Sequence, residues 1–340
     1  MRLGSKMFGQ LSAAFALGIA AIAPAQAQST DFQAAFDRSF GTEQRTPQSF
    51  DAVYDSGFER RIAQIADGDE GRIGVAAVDL STGQAISILG DQRFPMASTS
   101  KLAIAATFLE GVERGRWSLS SEFPLLVPVR SAKYSSLKAP VRKGNYLPAS
   151  DLIEIMITRS SNSATDALLN VVGGPSAVNA WMRRNGMDEF QLTRDIATLV
   201  RDDGEFDPVA HIDERDSATP KVMVQFLTGL YQGRFLSASS RSVIIGAMER
   251  CRTGKRRIPA LLPDSANVAH KTGSLNNTSS DIGTFITPDG RTIAVAIYVT
   301  GQGARLKREA RIAQIAKALY DGYSDGSSRN WTNAEYRNGG

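Results

Sequence analysis

The stretch Arg93-Phe94-Pro95-Met96-Ala97-Ser98-Thr99-Ser100-Lys101-Leu102-Ala103-Ile104-Ala105-Ala106 decides how the rest of the chain is read. Pro95 and the small polar run Ser98-Thr99-Ser100 suit a helix entry, and the apolar continuation through Phe108 and Leu109 predicts a helix buried on nearly every side. A charged lysine near the start of such a helix needs a reason. Spacing of i, i+3 puts Ser98 and Lys101 on one helical face, so the amine can accept the hydroxyl's proton. The helix N-terminus adds backbone amides and a partial positive charge beside the serine, which favour an oxyanion and a lowered lysine pKa. A capped helix start with a snorkelling lysine is the better explanation of an isolated pair, so the case depends on what accompanies it.

Toward the N-terminus, residues 1–27 carry Arg2 and Lys6, an apolar run from Leu11 to Ile22, and Pro24-Ala25-Gln26-Ala27. That order predicts a secretory signal peptide cut after Ala27, and the run is too short for a stable membrane span. Residues 28–49 are polar and aperiodic and read as a linker. From Phe50 to about Ala66, Val53, Phe58, Ile62 and Ile65 fall at helical spacing. Arg72–Leu80 and Gln84–Leu89 then flank Ser81-Thr82-Gly83 in a hairpin pattern. A second hairpin lies far away, Asp281–Thr287 and Thr292–Val299 around Pro288-Asp289-Gly290-Arg291, before an amphipathic helix from Leu306 to Tyr320.

Between the hairpins, from about Ser98 to Met248, almost everything reads helical. Strands from both ends are therefore expected to pair in one antiparallel β-sheet flanked by helices, with the middle as an all-helical domain against it, an α/β class. The expected domains are a discontinuous sheet domain, 50–96 and 252–321, a helical domain, 97–251, and a flexible tail, 322–340. Within the middle, Ser150 reads as the cap of a helix through Ile157, Ala164–Val172 as a helix ended by Gly173-Gly174, and Thr219-Pro220 as another helix start. The charged stretch between Gly186 and Thr219 has little periodicity after Leu199, as functional or disordered loops do.

Composition removes several chemistries. Without Arg2 and Lys6 the formal charge falls from +4 to +2, and there is no basic stripe interleaved with aromatics, so nucleic acid is not an expected partner. Cys251 is the one cysteine, which excludes an internal disulfide. The two histidines, His211 and His270, lie in no metal-ligand spacing, so zinc chemistry and a serine–histidine triad are not expected, nor is a cofactor.

Two further motifs follow the serine–lysine pair. Ser160-Ser161-Asn162 sits in a break between helices, and Lys271-Thr272-Gly273-Ser274 sits at the end of an expected strand, Ala266–Thr272. Each alone is a helix-breaking turn or a glycine-ended edge strand, but in this order they form the triple of penicillin-recognising serine enzymes. Over about Phe50 to Tyr320 the chain resembles the class A β-lactamases, including Arg252-Thr253-Gly254 through Arg257-Ile258-Pro259-Ala260, Val268 to Gly273, and Asp213 to Pro220 as the end of an omega loop.

The resemblance implies an active site between a sheet domain and a helical domain, with Ser98 as the nucleophile acylated by a β-lactam. It implies that Lys101 activates Ser98, that Ser160 relays a proton to the leaving nitrogen, and that Asn162 holds the substrate's side-chain amide. It further implies that Lys271 and Thr272 face the substrate carboxylate, that Gly273 permits close backbone approach, and that the amides of Ser98 and Ser274 form the oxyanion hole. Alternation along a strand points His270 away from the cleft.

Two departures bear on the chemistry. Ser161 stands where the family usually has aspartate, and no E-x-x-x-N pattern marks a deacylating glutamate. If Arg201 and Asp216 clamp the loop, Asp203 falls at the glutamate's place; if the loop starts at Thr193-Arg194, Glu205 is the candidate. No arginine follows Lys271 at the usual position, and Arg308 is a candidate substitute. The segment Leu126–Tyr146, with Arg130, Lys133, Lys138, Arg142 and Lys143, reads as a solvated basic loop or as a cleft wall with Tyr134 near substrate. The expectation is a monomeric, periplasmic serine β-lactamase with slow deacylation; the rivals are a peptidase or esterase merely acylated by penicillins, and a non-catalytic β-lactam sensor.

Overall fold

The computed structural model describes residues 53–54, 56–68 and 70–337, with side chains for 57–68 and 70–325, so the expected signal segment and linker lie outside the described residues. Strand β1 (Val53–Tyr54) and helix α1 (Ser56–Ile65) precede the hairpin of β2 (Arg72–Asp79) and β3 (Gln84–Ile88). The C-terminal strands are β9 (Ala269–Leu275), β10 (Thr278–Ile286) and β11 (Thr292–Thr300), counting β4 to β8 in the intervening chain. They form one six-stranded sheet in the order β1-β3-β2-β11-β10-β9, antiparallel except where β1 runs parallel to β3. Strands from the two ends of the chain do pair, β2 against β11 with Ala76 opposite Ala296.

Both faces of that sheet are covered, which is why β2 and β11 read as continuous apolar runs. Ile293, Val295, Ile297 and Val299 of β11 pack with Phe58 and Ile62 of α1 and with Ile312, Ile315 and Leu319 of the last helix, α9 (Arg305–Arg337). Ala294, Ala296 and Tyr298 point the other way, into a second core shared with the helical region. Small alanines on that second face let helix α7 (Pro220–Tyr231) lie against the sheet through β2 and β11.

The helical region is built around α2 (Lys101–Glu113), buried from Lys101 through Ala106 and again at Phe108 and Leu109. Around it pack α3 (Ala149–Thr158), α4 (Asn162–Val172), α5 (Pro175–Arg184) and α8 (Ala238–Glu249). The caps explain several boundaries. Ser161 accepts from Ala164 N at the start of α4, Gly173 ends it at φ +102°, and Thr219 accepts from Val222 N before Pro220 in α7.

The structure departs from the sequence reading in six places. The middle of the chain is not wholly helical: β5 (Glu122–Pro128) and β6 (Val141–Pro148) form a two-stranded ribbon. Most of its side chains are partly or fully exposed, so it carries no alternating pattern to read. Short strands β4 (Phe94–Pro95), β7 (Phe190–Gln191) and β8 (Ser217–Ala218) make a small sheet that ties the start of the Ser98 segment to both ends of the long charged stretch. That stretch also contains a short helix, α6 (Ile196–Arg201). Ser150 lies inside α3, which Pro148 precedes without a side-chain cap. The strand carrying Lys271 begins later than expected because Asp264–Ala266 forms a 3₁₀ turn, and α9 continues beyond Tyr320 to Arg337, through residues read as tail.

Candidate active site

Ser98 lies in a 3₁₀ turn, Ala97–Ser100, that leads directly into α2. Ala97 before it adopts φ +49°, a left-handed conformation that costs a non-glycine residue about 1–3 kcal/mol. Met96 N is held by Asp216 O at 3.0 Å, so the turn is fixed from the charged stretch as well as from the helix. Ser160, at φ +59°, is the second strained residue of the site.

Lys101 is fully buried and donates to Ser160 O at 2.7 Å, Ser160 Oγ at 3.1 Å and Asn162 Oδ1 at 2.8 Å. Lys271, also fully buried, donates to the same Ser160 Oγ at 3.0 Å and to Thr272 O at 2.8 Å. One hydroxyl therefore sits between two lysine amines. Burial, and then the charge of Lys271, push the Lys101 pKa well below its ordinary value, while Asp166 pulls it back up. Burial lowers Lys271 to about 8. The three motifs, Lys101 59 residues before Ser160 and Lys271 111 residues after it, meet at this hydroxyl.

Strand β9 closes the site from the other side. A Cβ built on Gly273 would lie 2.4 Å from Ser280 Oγ, 2.7 Å from Met96 O and 3.1 Å from Ala97 Cβ. Only glycine allows strand β9 to press this closely against Met96 and Ala97 of the turn that carries Ser98. Thr272 Oγ1 pairs with Thr253 Oγ1 at 2.7 Å. His270 points to the opposite side and meets both carboxylate oxygens of buried Asp281 at 2.9 Å. Burial disfavours its charge, but Asp281 and Cys251 raise its pKa to about 10.

Arg257 is the residue that sequence reasoning passed over. It is 1% exposed, donates to Gly273 O and Ser280 O at 2.7 Å each, and reaches Ser274 Oγ at 2.6 Å, with Glu309 as its acidic partner at 3.1 Å. Its signal was its place in the run Arg252–Ile258, whose arginines the sequence alone could not rank. Arg308 instead donates to Ser279 Oγ, Asn277 Oδ1, Gly301 O and Gly303 O, so it braces the turns around β10 and β11. Asp166 was also missed. It follows Asn162 by four residues on α4 and accepts from Ile196 N at 2.7 Å and Ala197 N at 2.9 Å, tying α6 to the helix that carries the site. Burial raises its pKa to about 6.

The clamp of the charged stretch is Arg194 with Asp216, not Arg201 with Asp216. Asp216 accepts from Arg194 Nε at 2.6 Å and from Thr193 N and Arg194 N at 2.7 and 3.0 Å. Arg201 pairs with its neighbour Asp202 at 2.8 Å. The loop is thus the longer of the two alternatives. Asp203 accepts from Asn276 N, with both oxygens at 2.9 Å, and Glu205 pairs with Arg215 at 2.7 Å. Neither of those bonds leads to Ser98, Lys101 or Ser160. Tyr134 is 53% exposed at φ +57°, and its amide donates to Asp202 Oδ1 at 2.7 Å, so the basic segment is docked on this loop as a wall. Among the described residues no group of three or more His, Cys, Asp or Glu side chains is arranged to hold a metal ion.

Comparison with known proteins gives a consistent result. A family model described as the beta-lactamase enzyme family matches residues 57–323. The extended-spectrum beta-lactamase PER-1 of Pseudomonas aeruginosa is 27% identical over 77% of this chain and 86% of its own length. Beta-lactamase CTX-M-8 of Citrobacter amalonaticus is 30% identical over 78% of this chain and 89% of its own. Among solved structures, a beta-lactamase from Chitinophaga pinensis matches with a TM-score of 0.68 at 25% identity, covering 79% of this chain and 100% of that one. An ancestral class A beta-lactamase matches with a TM-score of 0.66 at 31% identity, over 78% and 99%.

Proposed function

The chain belongs to the beta-lactamase enzyme family, and from that premise we propose that it opens β-lactam rings through an acyl-enzyme on Ser98, as a class A serine hydrolase. The observation that carries the reading is the Ser160 hydroxyl held between the amines of Lys101 and Lys271 at 3.1 and 3.0 Å. Such a hydroxyl can pass a proton in either direction without a histidine. In the proposed reaction, Lys101 with its lowered pKa takes the proton as Ser98 Oγ bonds to the lactam carbonyl carbon. The tetrahedral oxyanion is received by the amides of Ser98 and Ser274. As the C–N bond breaks, the proton passes through Ser160 to the leaving nitrogen.

Asn162 holds the substrate's side-chain amide, and Lys271, Thr272 and Ser274 face its carboxylate, with Arg257 bonded to Ser274 Oγ from behind. We further propose that hydrolysis of the acyl-ester is the slow step. Of the two loop acids considered for water activation, Asp203 is bonded to Asn276 and Glu205 to Arg215, so each would have to leave a partner to reach the ester. Export fits this function: residues 1–27 support a cleavable signal and a periplasmic enzyme that meets β-lactam antibiotics before their targets. Among the described residues, no helix is long and apolar enough to cross a membrane.

Steady hydrolysis of a chromogenic cephalosporin by the mature chain, abolished in Ser98→Ala, is the expected result. Absence of turnover together with cleavage of a D-Ala-D-Ala peptide would replace this reading with that of a penicillin-acylated peptidase.

A further inference from the structure

Between the β5–β6 connection and α6 lies a cavity of about 540 Å³ that opens beside Asn162. Its wall carries Arg130 and Lys133 from the connection and Arg201 from α6, and its apolar surface includes Val129 and Val200, both exposed. None of the residues that line it is acidic. The acids of the neighbouring segment are committed elsewhere. Asp202 takes both charge-assisted bonds of Arg201 and the amide of Tyr134, and Asp195 caps α6 through Thr198 N. Arg201 is therefore neutralised, whereas Arg130 and Lys133 face the cavity with no acid lining it opposite them. The connection is held in place by bonds from Tyr134 N to Asp202, from Ala139 N to Thr198 Oγ1, and from Arg201 to Ser135 O, so the two cations stand on a docked wall.

Asn162 fixes how a substrate would use this space. Its Oδ1 is taken by Lys101, which leaves its amide nitrogen to donate toward the cleft, and an acyl side chain leaving that point would run into the cavity. We propose that the cavity is an acyl-side-chain subsite selective for β-lactams whose side chain pairs an apolar body with a carboxylate, read by Arg130 and Lys133. The proposal rests on the reading of Ser98 as the acylated nucleophile and adds the charge of the preferred substrate to it. The apolar surface takes the body of the group, and the two cations supply a positive field that a neutral side chain does not use.

The test compares benzylpenicillin with α-carboxybenzylpenicillin and α-aminobenzylpenicillin, which share the same ring system and differ in charge at one carbon. At low ionic strength kcat/KM is expected to rank carboxy over benzyl over amino, with the carboxylate favoured roughly fivefold over benzylpenicillin, the scale of two exposed cations. In the double variant Arg130→Gln, Lys133→Gln, the carboxy-to-benzyl ratio is expected to fall to near one, and raising salt should erode the wild-type ratio the same way. Benzylpenicillin turnover without a carboxylate preference, or a preference that survives both the double substitution and salt, overturns the subsite and leaves the lactamase reading intact. No turnover of any of the three, with no acylation of Ser98, overturns both.

Discussion

At the scale of single residues, the site turns on how two buried lysines share one hydroxyl. Two ammonium groups within hydrogen-bond reach of Ser160 Oγ repel each other in a desolvated place, so one of them gives up its proton more easily than it would in water. Lys271, lowered by burial to about 8, is charged below that value and neutral above it, and a substrate carboxylate needs the charged form. We therefore expect kcat/KM for benzylpenicillin to fall on the alkaline side from about pH 8, and Lys271→Arg to move that fall to higher pH; a profile flat to pH 10 would remove Lys271 from anion binding. Ser160→Ala removes the shared hydroxyl while leaving Ser160 O for Lys101. Its kcat/KM is expected to fall about 10²- to 10⁴-fold, the usual worth of a positioned proton relay, and a loss under tenfold would put the relay elsewhere.

At the scale of elements, the approach of β9 to the Ser98 turn and the clamp on the long loop decide whether those residues meet. Gly273→Ala places a methyl 2.7 Å from Met96 O, a contact that backbone cannot absorb without moving. The expected result is a folded protein about 1–3 kcal/mol less stable in urea, with kcat/KM reduced at least as strongly as stability, because the shift falls beside the amides of Ser98 and Ser274 that are proposed to receive the oxyanion. The loop clamp is more forgiving. Asp216 is 2% exposed and accepts three bonds, but Arg194 keeps Glu205 and Asp213 within 3.9 Å, so Asp216→Asn is expected to cost about 1–3 kcal/mol rather than unfold the chain. A denaturation midpoint equal to wild type would show that the ion pair does not hold the loop.

These elements also show where sequence reading succeeds and fails. The buried helix after Ser98 and the pairing of β2 with β11 were legible because apolar periodicity reports burial directly. The ribbon Glu122–Pro148 was not, because β6 is largely exposed and the part-buried Phe123, Leu125 and Leu126 of β5 pack on the helical core without an alternating pattern. The loop's register was left open for the same kind of reason. Arg194 and Arg201 are equal candidates in the chain, and only the spatial arrangement, with Asp202 taking Arg201, selects between them.

For the whole molecule, the sheet is the common floor of two cores, one against α1 and α9 and one against the helical region, and the site lies where the second core meets strand β9. The motif order Ser98-x-x-Lys101, Ser160-x-Asn162, Lys271-Thr272-Gly273 was visible in the chain, and the fold brings all three to one hydroxyl. Arg257 and Asp166 were not visible, because their importance lies in partners distant in sequence, Ser274 and Glu309 for one, Ile196 and Ala197 for the other. The family's usual glutamate has no counterpart in the loop's sequence pattern, which makes the lifetime of the acyl-enzyme the quantity that separates a lactamase from a protein that is only trapped by the drug.

That lifetime is read most directly by intact-protein mass spectrometry of the mature chain mixed with excess benzylpenicillin, sampled over time beside Ser98→Ala. The account predicts a penicilloyl adduct that accumulates during turnover, clears as the substrate is exhausted, and never forms in the variant. An adduct that persists after the free drug is gone would contradict hydrolytic turnover, and an adduct that forms equally on Ser98→Ala, or not at all on the wild-type chain, would contradict Ser98 as the nucleophile.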